Sequence, residues 1–138
     1  MKTINLAGCI ILDDQKRMLL LHRNTPKRSQ WEIPGGKIEI DETAAGAAQR
    51  EVKEELGLDV FITREIGSKS FDEGEFTMGY SWFQADVIKG TPLVMEPETH
   101  DDWRYFSVTE LNVIKTELSA NTINFLAELR ADRISLTA

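Results

Sequence analysis

Three glutamates lie close together in one stretch of good helix formers: Glu51 precedes Glu54 by three positions and Glu55 by four. Residues at these spacings on a helix have Cβ atoms about 5–6 Å apart, so the three carboxylates crowd one face. Like charges at this spacing oppose helix formation, and taken alone the cluster is also compatible with a solvated surface. Hard divalent cations prefer carboxylate oxygens, and magnesium commonly binds through a few carboxylates and the phosphates of its substrate. The cluster is therefore a candidate cation site.

A helix over residues 42–56 is predicted to carry this cluster. Its apolar residues recur at the three-and-four spacing of a buried stripe, at Ala45, Ala48, Val52 and Leu56. Gly57 follows the stripe and is predicted to end the helix as its C-cap. Because the stripe takes the core-facing side, the carboxylates are expected to project away from the core.

The segment before the helix is predicted to bring backbone close to the carboxylates. A short strand over residues 31–33 is followed by Pro34, Gly35 and Gly36, which stop the strand and free the backbone for unusual dihedral angles. Residues 36–58 contain three basic and six acidic side chains, a local net charge of -3. Such a site repels a polyphosphate until bound cations invert its charge.

The remaining pattern predicts strands on both sides of this helix. Residues 6–12 and 17–22 are expected to form a hairpin, and residues 24–30 a loop. Residues 60–71 and 76–88 are expected to form a second antiparallel pair, followed by a short strand over 103–106. Ser107 begins a capping box for a short helix. Ser119 or Asn121 is a candidate cap for a last helix, whose apolar positions are Ile123, Leu126, Ala127 and Ile134.

This order of elements predicts an α/β (α+β) fold, a mixed sheet with helices packed on it, as one domain over residues 1–138. The chain has 138 residues with a single Cys, so disulfide scaffolds and Cys-rich zinc fingers are excluded and a reducing cytoplasm is the expected compartment. The net charge of -7 argues against loose binding to nucleic acid or anionic lipid. No apolar run approaches the roughly 20 residues of a membrane span.

A sequence motif over residues 36–58 resembles the Nudix box at every defining position. The matching positions are Gly36, Glu42, Arg50-Glu51-Val52, Glu54-Glu55 and Gly57-Leu58. The resemblance implies a Nudix α/β/α sandwich with a mixed central sheet. It also implies hydrolysis of a nucleoside diphosphate linked to another group, with Mg²⁺ as cofactor and Mn²⁺ as an alternative.

The resemblance also implies roles for individual residues. Glu51, Glu54 and Glu55 match the metal-binding carboxylates, and the Gly35 carbonyl matches a backbone ligand. Arg50 matches an Arg that orients the neighbouring glutamate, and Glu42 is expected to hold the loop to the helix. A further carboxylate is expected from the late loop; Glu96 and Glu98 both fit, and Glu98 is taken as the metal ligand. The sequence does not identify the general base among these glutamates.

Flanking residues favour a small nucleotide as the substrate. Residues 31–39 resemble the run into the box of MutT-like nucleoside triphosphate pyrophosphohydrolases, and Asn121 resembles their purine-reading Asn. An Asn amide offers both a donor and an acceptor to a base edge, although Asn121 also fits a helix cap. Arg23 and Lys37 are candidate phosphate contacts, and Lys27 and Arg28 lie beside them in the same loop. Aromatic residues for base stacking or core packing are Phe71, Phe76, Tyr80 and Trp82.

The expected reaction is hydrolysis of a nucleoside triphosphate to the monophosphate and pyrophosphate, with an oxidised purine as one candidate base. The enzymatic alternative is hydrolysis of ADP-ribose or a nucleotide sugar. An alternative of another class is a nucleotide-sensing module that binds without cleaving; such modules commonly lose a box carboxylate, whereas this chain has them all. A protein-interaction domain with a charged helix is the third class. The oligomeric state is left open.

Overall fold

The computed structural model describes residues 2–137. Its helices are α1 (Ala44–Leu56), α2 (Val108–Val113) and α3 (Ala120–Arg130), with a short 3-10 turn at Lys115–Glu117. Its strands are β1 (Lys2–Ile11), β2 (Met18–Asn24), β3 (Ser29–Glu32), β4 (Gly35–Lys37), β5 (Asp59–Glu73), β6 (Phe76–Lys89) and β7 (His100–Phe106). None of the helices within residues 2–137 has the length and apolar character needed to cross a bilayer.

The strands form two sheets. The larger has the order β4-β1-β6-β5, in which β1 runs parallel to β6 and antiparallel to β4. The smaller has the order β3-β2-β7 and is antiparallel. The larger sheet is therefore mixed, as the sequence predicts.

Helices cover both faces of the larger sheet. Strand β1 contacts both helical layers, because its successive side chains point to opposite faces. Ala7, Cys9 and Ile11 pack with α1 in one core. Ile10 packs on the other side in a second core that includes Phe125 and Leu126 of α3. The predicted sandwich of a mixed sheet between helices is confirmed.

The predicted hairpin of the first two strands is wrong. The turn itself forms, because the Asp13 carboxylate accepts hydrogen bonds from the N–H groups of Gln15 and Arg17. Beyond a single antiparallel bridge between Leu12 and Met18, however, β1 and β2 separate into different sheets. Both edges of β1 are taken by β4 and β6, so β2 pairs with β3 and β7 instead.

The predicted second pair, β5 with β6, and the predicted strand β7 are confirmed with small extensions. The predicted loop over residues 24–30 is shorter, since β2 runs to Asn24 and β3 begins at Ser29. The capping box at Ser107 is present.

Helix ends follow their capping residues. The helix predicted from residue 42 begins at Ala44, because Thr43 caps it by accepting a hydrogen bond from the Gly46 N–H. Gly57 ends it as predicted, with a φ of 70° and its N–H donating to the Lys53 carbonyl. Ser119, and not Asn121, caps α3.

The apolar positions predicted for α3 are correct only in part. Leu126 is buried, but Ile123 is 36% exposed and Ile134 lies beyond the end of the helix. Thr122 and Phe125 fill the buried positions instead.

Candidate active site

Glu51 and Glu55 extend from one face of α1 towards strand β4. Glu55 is buried, and its Oε1 accepts a hydrogen bond of 2.9 Å from the Gly35 N–H. The Glu51 carboxylate lies against Gly36: a Cβ added at residue 36 would come within 2.5 Å of the Glu51 Cδ. The Gly pair therefore allows backbone and carboxylates to approach closely.

The dihedral role predicted for these two glycines is wrong. Among the described residues, positive φ angles at glycine occur at Gly57, Gly74 and Gly90. Gly35 and Gly36 instead form part of strand β4 and are extended. What they contribute is the missing side chain, because a Cβ on Gly35 would collide with the Ala7 carbonyl oxygen and the Tyr80 hydroxyl.

Burial makes the two inner carboxylates resist ionisation in the metal-free protein. The pKa of Glu55 is raised well above its ordinary value, first by burial and then by the charge of Glu51. The pKa of Glu51 is also raised by burial, against the opposing effect of its hydrogen bond from Arg50. A buried carboxylate whose pKa is raised further by a half-buried neighbouring carboxylate favours a cation beside the pair, because an opposite charge stabilises the ionised form.

Arg50 joins the loop before α1 to the carboxylates on it. Its Nε and Nη2 donate to the two carboxylate oxygens of Glu42 at 2.6 and 3.0 Å. Its Nη1 donates to Glu51 Oε1 at 2.9 Å, and Nη2 also donates to the Lys37 carbonyl at 3.0 Å. The hydrogen bonds from Arg50 lower the pKa of Glu42 to about 2. Arg50 thus orients Glu51, and Glu42 holds the loop to the helix.

Glu54 differs from the other two glutamates of the cluster. Its side chain is 49% exposed and receives two longer hydrogen bonds of 3.3 Å from Arg50 Nη1. The expectation that all three carboxylates point away from the core is therefore wrong for Glu55, which is buried.

The arrangement supplies two inner carboxylates to a cation. Within residues 2–137, no three side chains of His, Cys, Asp or Glu converge closely enough to hold an ion by themselves. Arg50 holds Glu54 near the solvent-facing edge of the cluster and Glu51 at its inner edge. Magnesium ordinarily binds to one or two carboxylates and completes its coordination with water and substrate phosphates. The oxygen donors at Glu51 and Glu55 therefore fit a hard divalent ion.

Of the two late-loop glutamates, Glu96 is the one close to this cluster. Its charge contributes to the raised pKa of both Glu51 and Glu55. Glu98 is exposed, and its charge acts instead on the pKa of His100. Of these two carboxylates, Glu96 is therefore the one whose charge acts on the predicted metal ligands Glu51 and Glu55.

A cleft of about 350 Å³ opens beside Gly35 and Gly36. The predicted substrate-binding residues Arg23, Lys37 and Asn121 all line it. Its apolar walls come from the larger sheet, at Leu6, Phe71 and Met78, and from Ile33 between β3 and β4. Lys27 is exposed and lies outside the cleft lining.

Two ion pairs involve arginines of the cleft. Arg23 Nε donates to both carboxylate oxygens of Glu32 at 3.0 and 2.9 Å, and Gln30 donates to the same carboxylate. Arg28 lies 3.5 Å from a carboxylate oxygen of Glu73. Both carboxylates that line the cleft are therefore paired. Sequence reasoning missed Glu32 because its partner comes from another strand.

The predicted aromatic residues mainly form core. Trp82 is fully buried and Tyr80 is 6% exposed, as expected for packing, and both Phe71 and Tyr80 reach the cleft wall. The Trp82 indole Nε1 donates a hydrogen bond of 3.0 Å to Asn121 Oδ1. Sequence reasoning gave no signal for this contact, since the two residues lie 39 positions apart.

Comparison with known proteins places these features in one family. Residues 3–129 match the family model described as NUDIX domain. The mouse oxidized purine nucleoside triphosphate hydrolase is 31% identical over 96 residues, which cover 68% of this chain and 61% of that protein. The Proteus vulgaris 8-oxo-dGTP diphosphatase is 38% identical over 63 residues, covering 43% of this chain and 54% of that protein. The chain thus spans about half the length of the curated relatives it matches.

Solved structures have the same fold. The Escherichia coli ORF135 protein superposes with a TM-score of 0.76 at 26% identity, over 96% of this chain and 92% of that one. The MutT protein of Methanosarcina mazei superposes with a TM-score of 0.82 at 21% identity, over 96% of both chains, a likeness of fold.

Proposed function

This chain belongs to the NUDIX domain family, and on that premise we propose that it hydrolyses nucleoside triphosphates to the monophosphate and pyrophosphate. One observation carries the proposal: the carboxylates of Glu51 and Glu55 lie against Gly35 and Gly36, which also line the cleft. A phosphate chain in that cleft would lie beside the carboxylates. The mouse and Proteus vulgaris relatives, named for oxidised purine nucleotides, support this class of substrate.

The cleft offers separate groups to the two parts of a nucleotide. Of the two basic side chains predicted to contact phosphate, Lys37 supplies the positive charge, because Arg23 is already paired with Glu32. Leu6, Phe71 and Met78 supply an apolar surface on which a base can lie. No ion pair of Lys37 is recorded within residues 2–137, so its ammonium is the cation that remains for a phosphate.

Family members generally use a divalent metal, and we propose Mg²⁺, with Mn²⁺ as a substitute. Glu51 and Glu55 would hold it, with Glu54, the Gly35 carbonyl and Glu96 as further ligands. Such an ion neutralises phosphate charge and lowers the pKa of a bound water. The chain's own groups then align the phosphates, and one of the glutamates accepts the proton of the attacking water.

The proposal is tested by incubating the full chain with a panel of nucleotides and Mg²⁺ in ¹⁸O-water and identifying the products by mass. We expect monophosphate and pyrophosphate, one of them labelled, and no turnover in excess EDTA. A nucleoside diphosphate with free phosphate would contradict cleavage at an internal phosphorus. Turnover of ADP-ribose or a nucleotide sugar alone would replace the triphosphate assignment. Binding without cleavage, seen as a rise in melting temperature, would identify a sensing module.

Arg50→Lys tests the orienting role of the guanidinium. Lysine keeps the charge but cannot bind Glu42 through two nitrogens while also holding Glu51, so we expect kcat/KM to fall by about 10- to 100-fold. Steady-state kinetics in saturating Mg²⁺ measures the effect. Arg130→Lys, on an exposed side chain of α3, is the matched control. Equal rates for the two variants would remove Arg50 from the site.

A further inference from the structure

We infer that His100 is a positioning residue, which holds the Glu96 carboxylate beside Glu51 and Glu55 through a hydrogen bond from its Nδ1–H. The inference rests on the proposed function, because it concerns a side chain that acts through a carboxylate of the same site. His100 itself does not touch the nucleotide in this arrangement, and its effect on turnover passes through Glu96.

The His100 ring is buried without a hydrogen-bond partner. It belongs to the first residue of β7 and is 1% exposed, and within residues 2–137 neither its Nδ1 nor its Nε2 makes a hydrogen bond. An imidazole ring always carries at least one N–H group, and a buried donor without an acceptor costs folding free energy. Because buried polar groups in folded proteins are nearly always paired, the ring is expected to have a partner in another state of the site.

Glu96 supplies an acceptor close to this ring. Its Oε1 lies 4.0 Å from His100 Nδ1, so the two atoms need to approach by about 1 Å to form a hydrogen bond. The Glu96 side chain is 41% exposed, and rotation about its bonds can close this gap. The buried ring is thus the fixed partner, and the Glu96 carboxylate is the group that moves.

The backbone around Glu96 is already held in place. The N–H groups of Thr99 and His100 both donate to the Glu96 carbonyl at 2.9 Å. The Met95 N–H donates to the Glu55 carbonyl at 3.2 Å, so the residue before Glu96 is attached to α1. What remains free is the direction of the Glu96 carboxylate, and a hydrogen bond from His100 removes that freedom.

The direction of Glu96 matters because its charge acts on the carboxylates of the site. It contributes to the raised pKa of both Glu51 and Glu55. Groups that orient a metal-binding carboxylate through a hydrogen bond typically contribute about 10- to 100-fold to activity. We therefore expect a contribution of this size from His100.

Three substitutions of His100 test the position of the donor. The amide NH₂ of Asn can lie where Nδ1 lies and that of Gln where Nε2 lies, whereas Leu has no donor. We expect kcat/KM in Mg²⁺ to fall by about 10- to 100-fold in His100→Leu and His100→Gln, and by less than about 3-fold in His100→Asn. Equal losses in His100→Asn and His100→Gln, or a smaller loss in His100→Gln, would overturn the inference.

A double-mutant cycle with Glu96→Ala shows whether the effect of His100 passes through Glu96. In the Glu96→Ala background, His100→Leu should have no further effect on kcat/KM, because the carboxylate that it orients is gone. If His100→Leu lowers kcat/KM by the same factor in both backgrounds, its role is merely structural and the inference is overturned. If His100→Leu does not fold, the comparison of His100→Asn with His100→Gln decides.

His22→Leu is the matched control for the cycle, since His22 is the other histidine of the chain. Its Nδ1 lies 2.6 Å from Oδ1 of Asp101, and it makes no recorded contact with Glu96 within residues 2–137. Any loss of kcat/KM that His22→Leu causes should therefore be the same factor with and without Glu96→Ala.

Long-range ¹H–¹⁵N NMR spectra of the metal-free protein give a readout that does not depend on activity. At pH 8 an ordinary histidine is neutral, and these spectra show which ring nitrogen carries the proton. We expect the proton on Nδ1 of His100, because the negative charge of Glu96 lies on that side of the ring. His22→Leu identifies the His100 signals by leaving them as the single set. A proton on Nε2 would overturn the inference.

The two proposals fail differently. Absence of turnover with every nucleotide would overturn the proposed function. A protein that hydrolyses nucleoside triphosphates, and in which His100→Leu keeps the wild-type kcat/KM, would leave that function standing and overturn the inference about His100.

Discussion

Glu55→Gln is expected to reduce Mg²⁺-dependent turnover by about 10²- to 10⁴-fold and to stabilise the metal-free protein. The amide can still accept the hydrogen bond from the Gly35 N–H, so the local structure is kept. What is lost is a buried negative charge whose ionisation burial and Glu51 both oppose. Each unit by which a carboxyl pKa is raised costs the folded state about 1.4 kcal/mol once the group is ionised. Activity and stability should therefore change in opposite directions.

The pH dependence of stability follows from the same raised pKa. A carboxyl that holds its proton more tightly when folded stabilises the folded state at low pH. That stability is lost as the pH rises from the ordinary value of 4.5 through the folded pKa. In EDTA, the difference in melting temperature between wild type and Glu55→Gln should therefore widen over this range and then become constant.

The control for this variant is Glu65→Gln, an exposed carboxylate on β5 without a recorded ion pair within residues 2–137. It should leave both turnover and the pH profile of the melting temperature unchanged. A Glu55→Gln protein with wild-type turnover would contradict the assignment of Glu55 to the metal site.

Gly36→Ala is expected to reduce turnover by at least about 10²-fold, with little effect on stability. The new methyl group would lie 2.5–2.8 Å from the Glu51 carboxylate atoms, so that carboxylate must move. The Glu51 carboxylate stands at the end of a flexible side chain, so it can rotate away with little loss of folding stability. Its position over Gly36 is then lost. Positioning errors of about 1 Å cost roughly 10²-fold in rate.

Comparison with Gly35→Ala separates the effect on turnover from the effect on stability. Its methyl group would collide with the backbone of Ala7 and Gly8, which cannot swing away, so this variant should also lose stability. Thermal denaturation and steady-state kinetics of both variants provide the measurements. A Gly36→Ala protein that keeps normal turnover would show that the Glu51 position against β4 is unimportant.

Local signals in the sequence predicted several parts of this site. The spacing of Glu51, Glu54 and Glu55 placed them on one helix, and Gly57 marked its end, because capping and helical periodicity depend on neighbouring residues. The order of elements predicted the mixed sheet, and the resemblance to the Nudix family led to Arg23 and Asn121, which line the cleft together with Lys37.

Features that depend on distant contacts were not predicted. Glu55 is buried because β4 packs against α1. The N–H group that binds its carboxylate belongs to Gly35, which lies 20 residues earlier in the sequence. The separation of β1 from β2 depends on which strands occupy the edges of β1. Trp82 and Asn121 meet only after β6 and α3 pack together. In each case the deciding partner lies far along the chain, where periodicity carries no information.

We propose that Glu51 and Glu55 hold a divalent cation beside the cleft. A crystal structure of the protein soaked in Mn²⁺, with data collected at the manganese absorption edge, tests it most directly. We expect an anomalous peak within coordination distance of the Glu51 and Glu55 carboxylates, and its loss in Glu55→Gln. An ion bound elsewhere, with these two carboxylates free of metal, would contradict it.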